Sequence, residues 1–275
     1  MKTLITSSDR SNLDIRELQR FAGLFRYLSL RDVIVRYKQT RMGFAWSVLR
    51  PLINIVIFGS LSVLIDRGED VGDKFLHVSA AVIIWQLIST CITDLSNSLL
   101  SNANILTKVY FPKVLLPLSG LLVCLVDFAI AFVIFLLVFI LLKGLPPLSM
   151  LLFPLVLAYA LFFSFSIGLL FSTASVKYRD VKFIVPFLLQ ILFYASPVFI
   201  SSEFVLRYNL PDILKGLYQL NPLVHIINAF KYCFFGAFES FSPAYFSASV
   251  LISLFLFYGA LRYFLRFEKT FADHI

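Results

Sequence analysis

Six stretches of this chain are long and apolar enough, or nearly so, to cross a bilayer as helices. They are Ser47–Ile65, Phe75–Thr93, Val114–Leu142, Leu151–Ser175, Phe183–Ile200 and Ala244–Leu265. A hydrocarbon core of about 30 Å needs about 20 apolar residues in helical form. The fold class that follows is an all-α membrane protein with six transmembrane helices. Composition agrees: 59% of the 275 residues are hydrophobic and 15% are charged, where a soluble domain carries about 25% charged residues. The excess apolar surface is matched to lipid. The third stretch is long enough to tilt, and Pro117 sits where its start would kink.

Lys and Arg positions give an orientation. Eighteen fall in residues 1–50, 96–113, 176–182 and 262–275, and six fall in the alternate connections. The positive-inside rule therefore places both termini in the cytoplasm, as an even number of spans requires. Residues 1–10 read as a flexible tail, 11–46 as a cytoplasmic amphipathic and basic segment, 47–265 as the six-span domain and 266–275 as a cytoplasmic tail. Ser11 and Asp14 have capping-box spacing. Leu18, Phe21, Phe25 and Leu28 recur at helical intervals opposite Arg16, Arg20 and Arg26. A helix over 11–30 lying flat in the interface is expected. No secretory leader is apparent, because an apolar region would normally fall within the first 30 or so residues. Residues 203–236 are apolar but broken by Arg207, Pro211, Asp212, Lys215, Pro222, His225 and Lys231. Two short re-entrant helices on the outer face, between spans five and six, fit better than a span. An outer gate and a packed cap are both open readings.

The chain lacks the motifs of several chemistries. No HExxH, GxSxG or GxxxxGK[ST] occurs, and His77, His225 and His274 are far apart. No metal site, cofactor or catalytic residue is expected. Cys91, Cys124 and Cys233 read as small hydrophobes. The formal charge of +8 clusters beside apolar spans, which favours anionic lipid headgroups or an anionic lipid-linked substrate over nucleic acid. Asp127 is the one carboxylate deep inside a span. It fits a proton relay or a hydrogen bond to a neighbouring helix, and with no second acid or His nearby in sequence the structural reading is favoured.

RYKQTRMGFAWSVLRPL (Arg36–Leu52) resembles the start of the first span in polysaccharide-exporting ABC-transporter permeases. SNSLLSNANILTKVYFPKVLLP (Ser96–Pro117), KYRDVKFIVPFLLQILFYASPVF (Lys177–Phe199) and NPLVHIINAFKYCFFG (Asn221–Gly236) are similar to later segments of that family in the same order. The resemblance runs from about residue 20 to the C-terminus. It implies a non-catalytic, multi-pass subunit in the bacterial cytoplasmic membrane, working as a homodimer with two copies of an ATPase subunit that binds ATP and Mg. The cargo it implies is an undecaprenyl-pyrophosphate-linked glycan of O-antigen, capsule or teichoic acid type.

Roles for named residues follow from what such work requires. Pyrophosphate needs cations at headgroup level, and Arg36, Lys38, Arg41 and Arg50 are the candidates; attraction to anionic lipid is the plainer alternative. Sugar faces pack on aromatic rings, for which Tyr37, Trp85, Tyr159, Phe193 and Tyr194 are candidates. Contact with an ATPase requires cytoplasmic protrusions. Asn104, Lys108, Tyr110, Phe111 and Lys113 in one connection, and Tyr178, Arg179 and Asp180 in another, are expected there. A proton-coupled glycolipid flippase using Asp127 and a membrane-embedded glycosyl- or phosphotransferase are the alternatives. The latter is disfavoured because Asp94 and Asp180 stand isolated in sequence.

Overall fold

A computed structural model describes residues 19–38, 43–65, 71–178, 180–198, 200–238, 241–268 and 271, and all regular structure among them is helical. In chain order the helices are α1 (Ala22–Lys38), α2 (Gly43–Ile65), α3 (Val71–Ser101), α4 (Ala103–Lys108), α5 (Leu115–Lys143), a 3-10 turn (Leu148–Leu152), α6 (Phe153–Lys177), α7 (Val181–Tyr194), α8 (Ser202–Arg207), α9 (Asp212–Leu220), α10 (Pro222–Phe235) and α11 (Pro243–Phe267). Arg41, Arg179 and the tail 1–10 lie outside the described residues.

Among the described residues four stretches are long and apolar enough to cross a membrane: Gly72–Ser101, Leu115–Lys143, Leu148–Lys177 and Pro243–Phe267. Two expected spans are represented by shorter apolar helices, Ala45–Leu61 and Val181–Tyr194. The fifth was expected to reach Ile200 but ends at Tyr194, because Pro197 disfavours helical backbone at Ser196.

The centre of the molecule is α3, which packs on α2, α5, α6, α7 and α10. Small residues make this possible. Gly168 of α6 lies so close to α3 that an added Cβ would stand 2.6 Å from Leu95 Cβ. Nearby, the Ser98 and Ser172 hydroxyls are 3.1 Å apart and Ser175 donates to the Ser96 carbonyl at 2.8 Å. The adjacent ends of α3 and α6 send the segment 102–113 and Tyr178 out from the same end of the bundle. At the other end, Lys143 pairs with Asp73 at 2.6 Å, and His77 stacks on Phe235.

Helix α10 is buried along most of its length. Its Phe230 and Phe234 join Phe128, Phe132, Phe135, Phe139 and Phe153 in one aromatic cluster. Three short helices, rather than two, occupy 202–235, and the most apolar of them is enclosed by protein. The N-terminal expectation also shifts. A helix over 11–30 was expected; residues 11–18 lie outside the described residues, Gln19 and Arg20 are helical, and α1 continues past Leu30 to Lys38. Within this extension Arg31 and Arg36 find partners on the bundle, Asn102 for the first and Asp94 and Asp127 for the second.

Candidate functional site

Along α1, one face is polar and fastened to the bundle. Arg31 donates to Asn102 Oδ1 at 2.6 Å and pairs with Asp32, and Ser119 donates to Asp32 at 3.4 Å. One turn further, the Arg36 guanidinium reaches two spans at once. Nη1 meets Asp94 Oδ2 of α3 at 2.6 Å, and Nη2 meets Asp127 Oδ2 of α5 at 2.9 Å. Tyr37 donates its hydroxyl to the other Asp127 oxygen, and Cys124 Sγ lies 3.6 Å from Asp94. Burial alone would lower the pKa of Arg36, but the charges of Asp94 and then Asp127 override it and raise it. The Tyr37 phenol is pushed well above its ordinary range, by burial first and then by its bond to Asp127, so it remains a donor.

This corrects two expectations. Asp127 is not isolated, since Asp94 lies across a shared guanidinium. Arg36 is not an open cation, because both of its terminal nitrogens are engaged.

The cluster borders a cavity of about 380 Å³ between α1, α2, α3 and α5, whose walls include Tyr37, Trp46, Arg50, Gln86, Thr90 and Asp127. A groove of about 360 Å³ between α2, α3 and α7 adjoins it and shares Arg50, Gln86 and Thr90. Trp85, Phe193 and Tyr194 come together in the groove. The Trp85 and Phe193 ring centroids are 5.5 Å apart, those of Phe193 and Tyr194 5.4 Å, and Tyr194 is 76% exposed. Asn54, Gln86 and Gln190 add amide groups. The buried Oε1 of Gln86 accepts no hydrogen bond from the described residues. Arg50 makes no ion pair with a described residue and lines both spaces. Aromatic faces, amides and one open cation suit a hydroxyl-rich ligand carrying negative charge.

Tyr159 does not belong to this set. Its hydroxyl lies 3.3 Å from Ser249 and 3.1 Å from Ser253, tying α6 to α11. Lys38 is exposed on the last turn of α1.

At the end where α3 and α6 terminate, Asn104, Lys108, Val109 and Tyr110 are exposed, as are Tyr178 and Asp180. Phe111 is buried instead. Lys113 is bound from both ends to Glu268, its backbone N–H to Oε1 at 3.0 Å and its Nζ to the carbonyl at 2.6 Å. These two residues anchor the protruding segment rather than face outward.

Sequence reading missed Asp94, Asn54 and Gln190 as partners in the site. The signal for Asp94 was available: no Gly or Pro interrupts residues 73–111, so the helix continues past Thr93 and carries Asp94 inside it.

Comparison with known proteins agrees with this architecture. The family model for the ABC-2 type transporter matches residues 23–235. The chain is similar to the O-antigen export system permease protein RfbA of Klebsiella pneumoniae, 25% identical over 226 residues that cover 80% of this chain and 85% of that protein. A similar protein of the same description from Myxococcus xanthus is 24% identical over 221 residues, covering 80% of this chain and 84% of its own length.

Proposed function

The chain belongs to the ABC-2 type transporter family of multi-pass membrane proteins, and from that premise we propose that it is the permease of a polysaccharide exporter in the cytoplasmic membrane. In this reading α2 and α7 complete six spans, both termini are cytoplasmic, and α1 lies at the inner interface with Tyr27, Leu30 and Ile34 turned outward. Two copies enclose the route, and two copies of an ATPase subunit bind ATP and Mg and drive movement. The exposed residues Asn104, Lys108, Tyr110, Tyr178 and Asp180 form the contact with that subunit. The cargo is a glycan carried on an anionic lipid of the undecaprenyl pyrophosphate type.

The observation that carries this reading is the joining of two spaces at Arg50. Headgroup phosphates need a cation, and sugars sliding past need many weak stacking and amide contacts. Arg50 offers the first, while Trp85, Phe193, Tyr194, Asn54 and Gln190 offer the second. Arg36 is a poor grip by comparison. Both of its terminal nitrogens are already bound to carboxylates, which takes up the donors a phosphate would need.

Asp127 also argues against a proton-coupled carrier. Each of its oxygens is occupied, one by Arg36 and the other by the Tyr37 hydroxyl. Held on both sides, Asp127 has a structural task that a proton relay does not require.

The test is Arg50→Gln in the full export system. Surface glycan should fall at least ten-fold while the permease still co-purifies with its ATPase. Undiminished export would remove Arg50 from the site, and export by the permease without any ATPase would overturn the whole reading.

A further inference from the structure

Two spaces approach each other inside the bundle without merging. One is the cavity of about 380 Å³ described above. The other is a polar cleft of about 670 Å³ between α1, α3, α4 and α5, at the end where α3 terminates, with Asn97, Ser101, Asn102 and Asn104 on its walls. Arg36 is the one described residue that lines both. Asp94 lies on the cleft side and Asp127 on the cavity side, and the guanidinium spans the gap between them.

Position along the helices shows how deep this junction lies. Asp94 is seven residues before the end of α3, and Asp127 is twelve residues into α5. At 1.5 Å per residue these are about 10 Å and about 18 Å from the respective helix ends, within helices of 31 and 29 residues that are both longer than a core of about 30 Å requires. Charged groups part-buried among membrane helices are costly, and their presence calls for a task. Apolar contacts alone would hold α1 at lower cost, as Leu28 does where it is buried against the bundle. An ion pair adds something apolar packing lacks: a directional contact held from two helices, across the gap between the two spaces.

We propose that Arg36 is a positioning residue whose paired guanidinium, held between Asp94 and Asp127, closes the inner cavity to the cytoplasmic cleft. Without it, the polar cleft, the inner cavity and the aromatic groove form one wet path through most of the bundle. An exporter with such a path would leak ions. The proposal rests on the functional reading above only for which face is cytoplasmic.

The experiment uses the full-length chain in inside-out membrane vesicles, with Cys91, Cys124 and Cys233 replaced by alanine and Ala131→Cys added as reporter. Ala131 lines the inner cavity one helical turn beyond Asp127. A membrane-impermeant trimethylammonium methanethiosulfonate is applied to either face, and the labelling rate is measured. With Arg36 present, labelling from the cytoplasmic face is expected to be slow. Arg36→Gln should raise it at least ten-fold, and Arg36→Lys, which keeps the charge but offers one nitrogen where two carboxylates are bridged, should give a rate between the two. A purely structural role would lower thermal stability without this sided change in rate. Should Arg36→Gln fail to insert, the neutral triple variant Arg36→Gln/Asp94→Asn/Asp127→Asn replaces it, with the same rise expected. Unchanged labelling in the inserted variant, or equally fast labelling of the parent, overturns the proposal. Acceleration confined to the opposite face supports the closure but refutes the assigned orientation.

Discussion

Helices α3 and α7 are both apolar, yet they lead opposite lives. In α3, the most apolar window is 72% buried, and Ile83, Ile84, Ile88 and Ile92 are at most 1% exposed. In α7 only Val181, Val185 and Leu189 are buried, a single stripe at four-residue spacing, while Phe183, Phe187, Ile191 and Tyr194 are 52–76% exposed. Hydrophobicity cannot explain this contrast, since lipid is as apolar as a leucine and does not drive helices together. Small and hydroxylic residues explain it. Helix α3 carries Ser79, Ala80, Ala81, Ser89, Ser96 and Ser98 and meets Gly168, which lets neighbouring backbones come close. Helix α7, VKFIVPFLLQILFY, contains no Gly, Ala, Ser or Thr. Its outward face is left for lipid, a second copy or cargo.

The largest effect should separate equal truncations on the two helices. Ile88→Ala removes a side chain with 0% exposure and is expected to cost about 2–5 kcal/mol. Ile191→Ala, at 52% exposure, should stay within about 0.5 kcal/mol. Reversible unfolding in mixed micelles measures both; equal losses would break the contrast.

A smaller effect tests the role given to small residues. Gly168→Ala places a Cβ 2.6 Å from Leu95 Cβ, and overpacking of that kind costs about 1–3 kcal/mol. This exceeds the gain of about 0.5–1 kcal/mol from replacing a helical glycine. Gly120→Ala, whose new Cβ meets Leu95 Cδ1 at a relaxed 3.8 Å, should be neutral or stabilising. If both glycines respond alike, close approach is not what makes α3 the hub.

The same contrast marks what the sequence can reveal. Long apolar runs such as Val114–Leu142 are legible because few other structures tolerate them, and α5 over Leu115–Lys143 matches within a residue at each end. The association of Trp85, Phe193 and Tyr194 was half legible, since Trp85 and Tyr194 each lie in an apolar run beside a polar group, Gln86 and Ser196. The Arg36–Asp94–Asp127 cluster was not. Its members sit on three helices, 58 residues separating the first pair, and only packing brings them together. Asp94 looked isolated because the span was ended at Thr93, where the polar run STCITDLSNS begins to dominate. The polarity that ended the apolar run is the same polarity that gives α3 its contacts.

Tyr159 supplies the smallest and most discriminating test. Sequence placed it with Tyr194 among the rings that touch cargo, whereas its hydroxyl lies between Ser249 and Ser253 of α11. Hydrogen bonds between membrane helices average about 0.6 kcal/mol, so Tyr159→Phe should lower stability by about that amount. Export should be unchanged, because the ring remains and faces neither the cavity nor the groove. Tyr194→Ala should do the reverse: unchanged stability, since the ring is 76% exposed, and reduced export measured as surface glycan per cell. A drop in export with Tyr159→Phe would move the route toward α6 and α11 and away from the face that α7 leaves open.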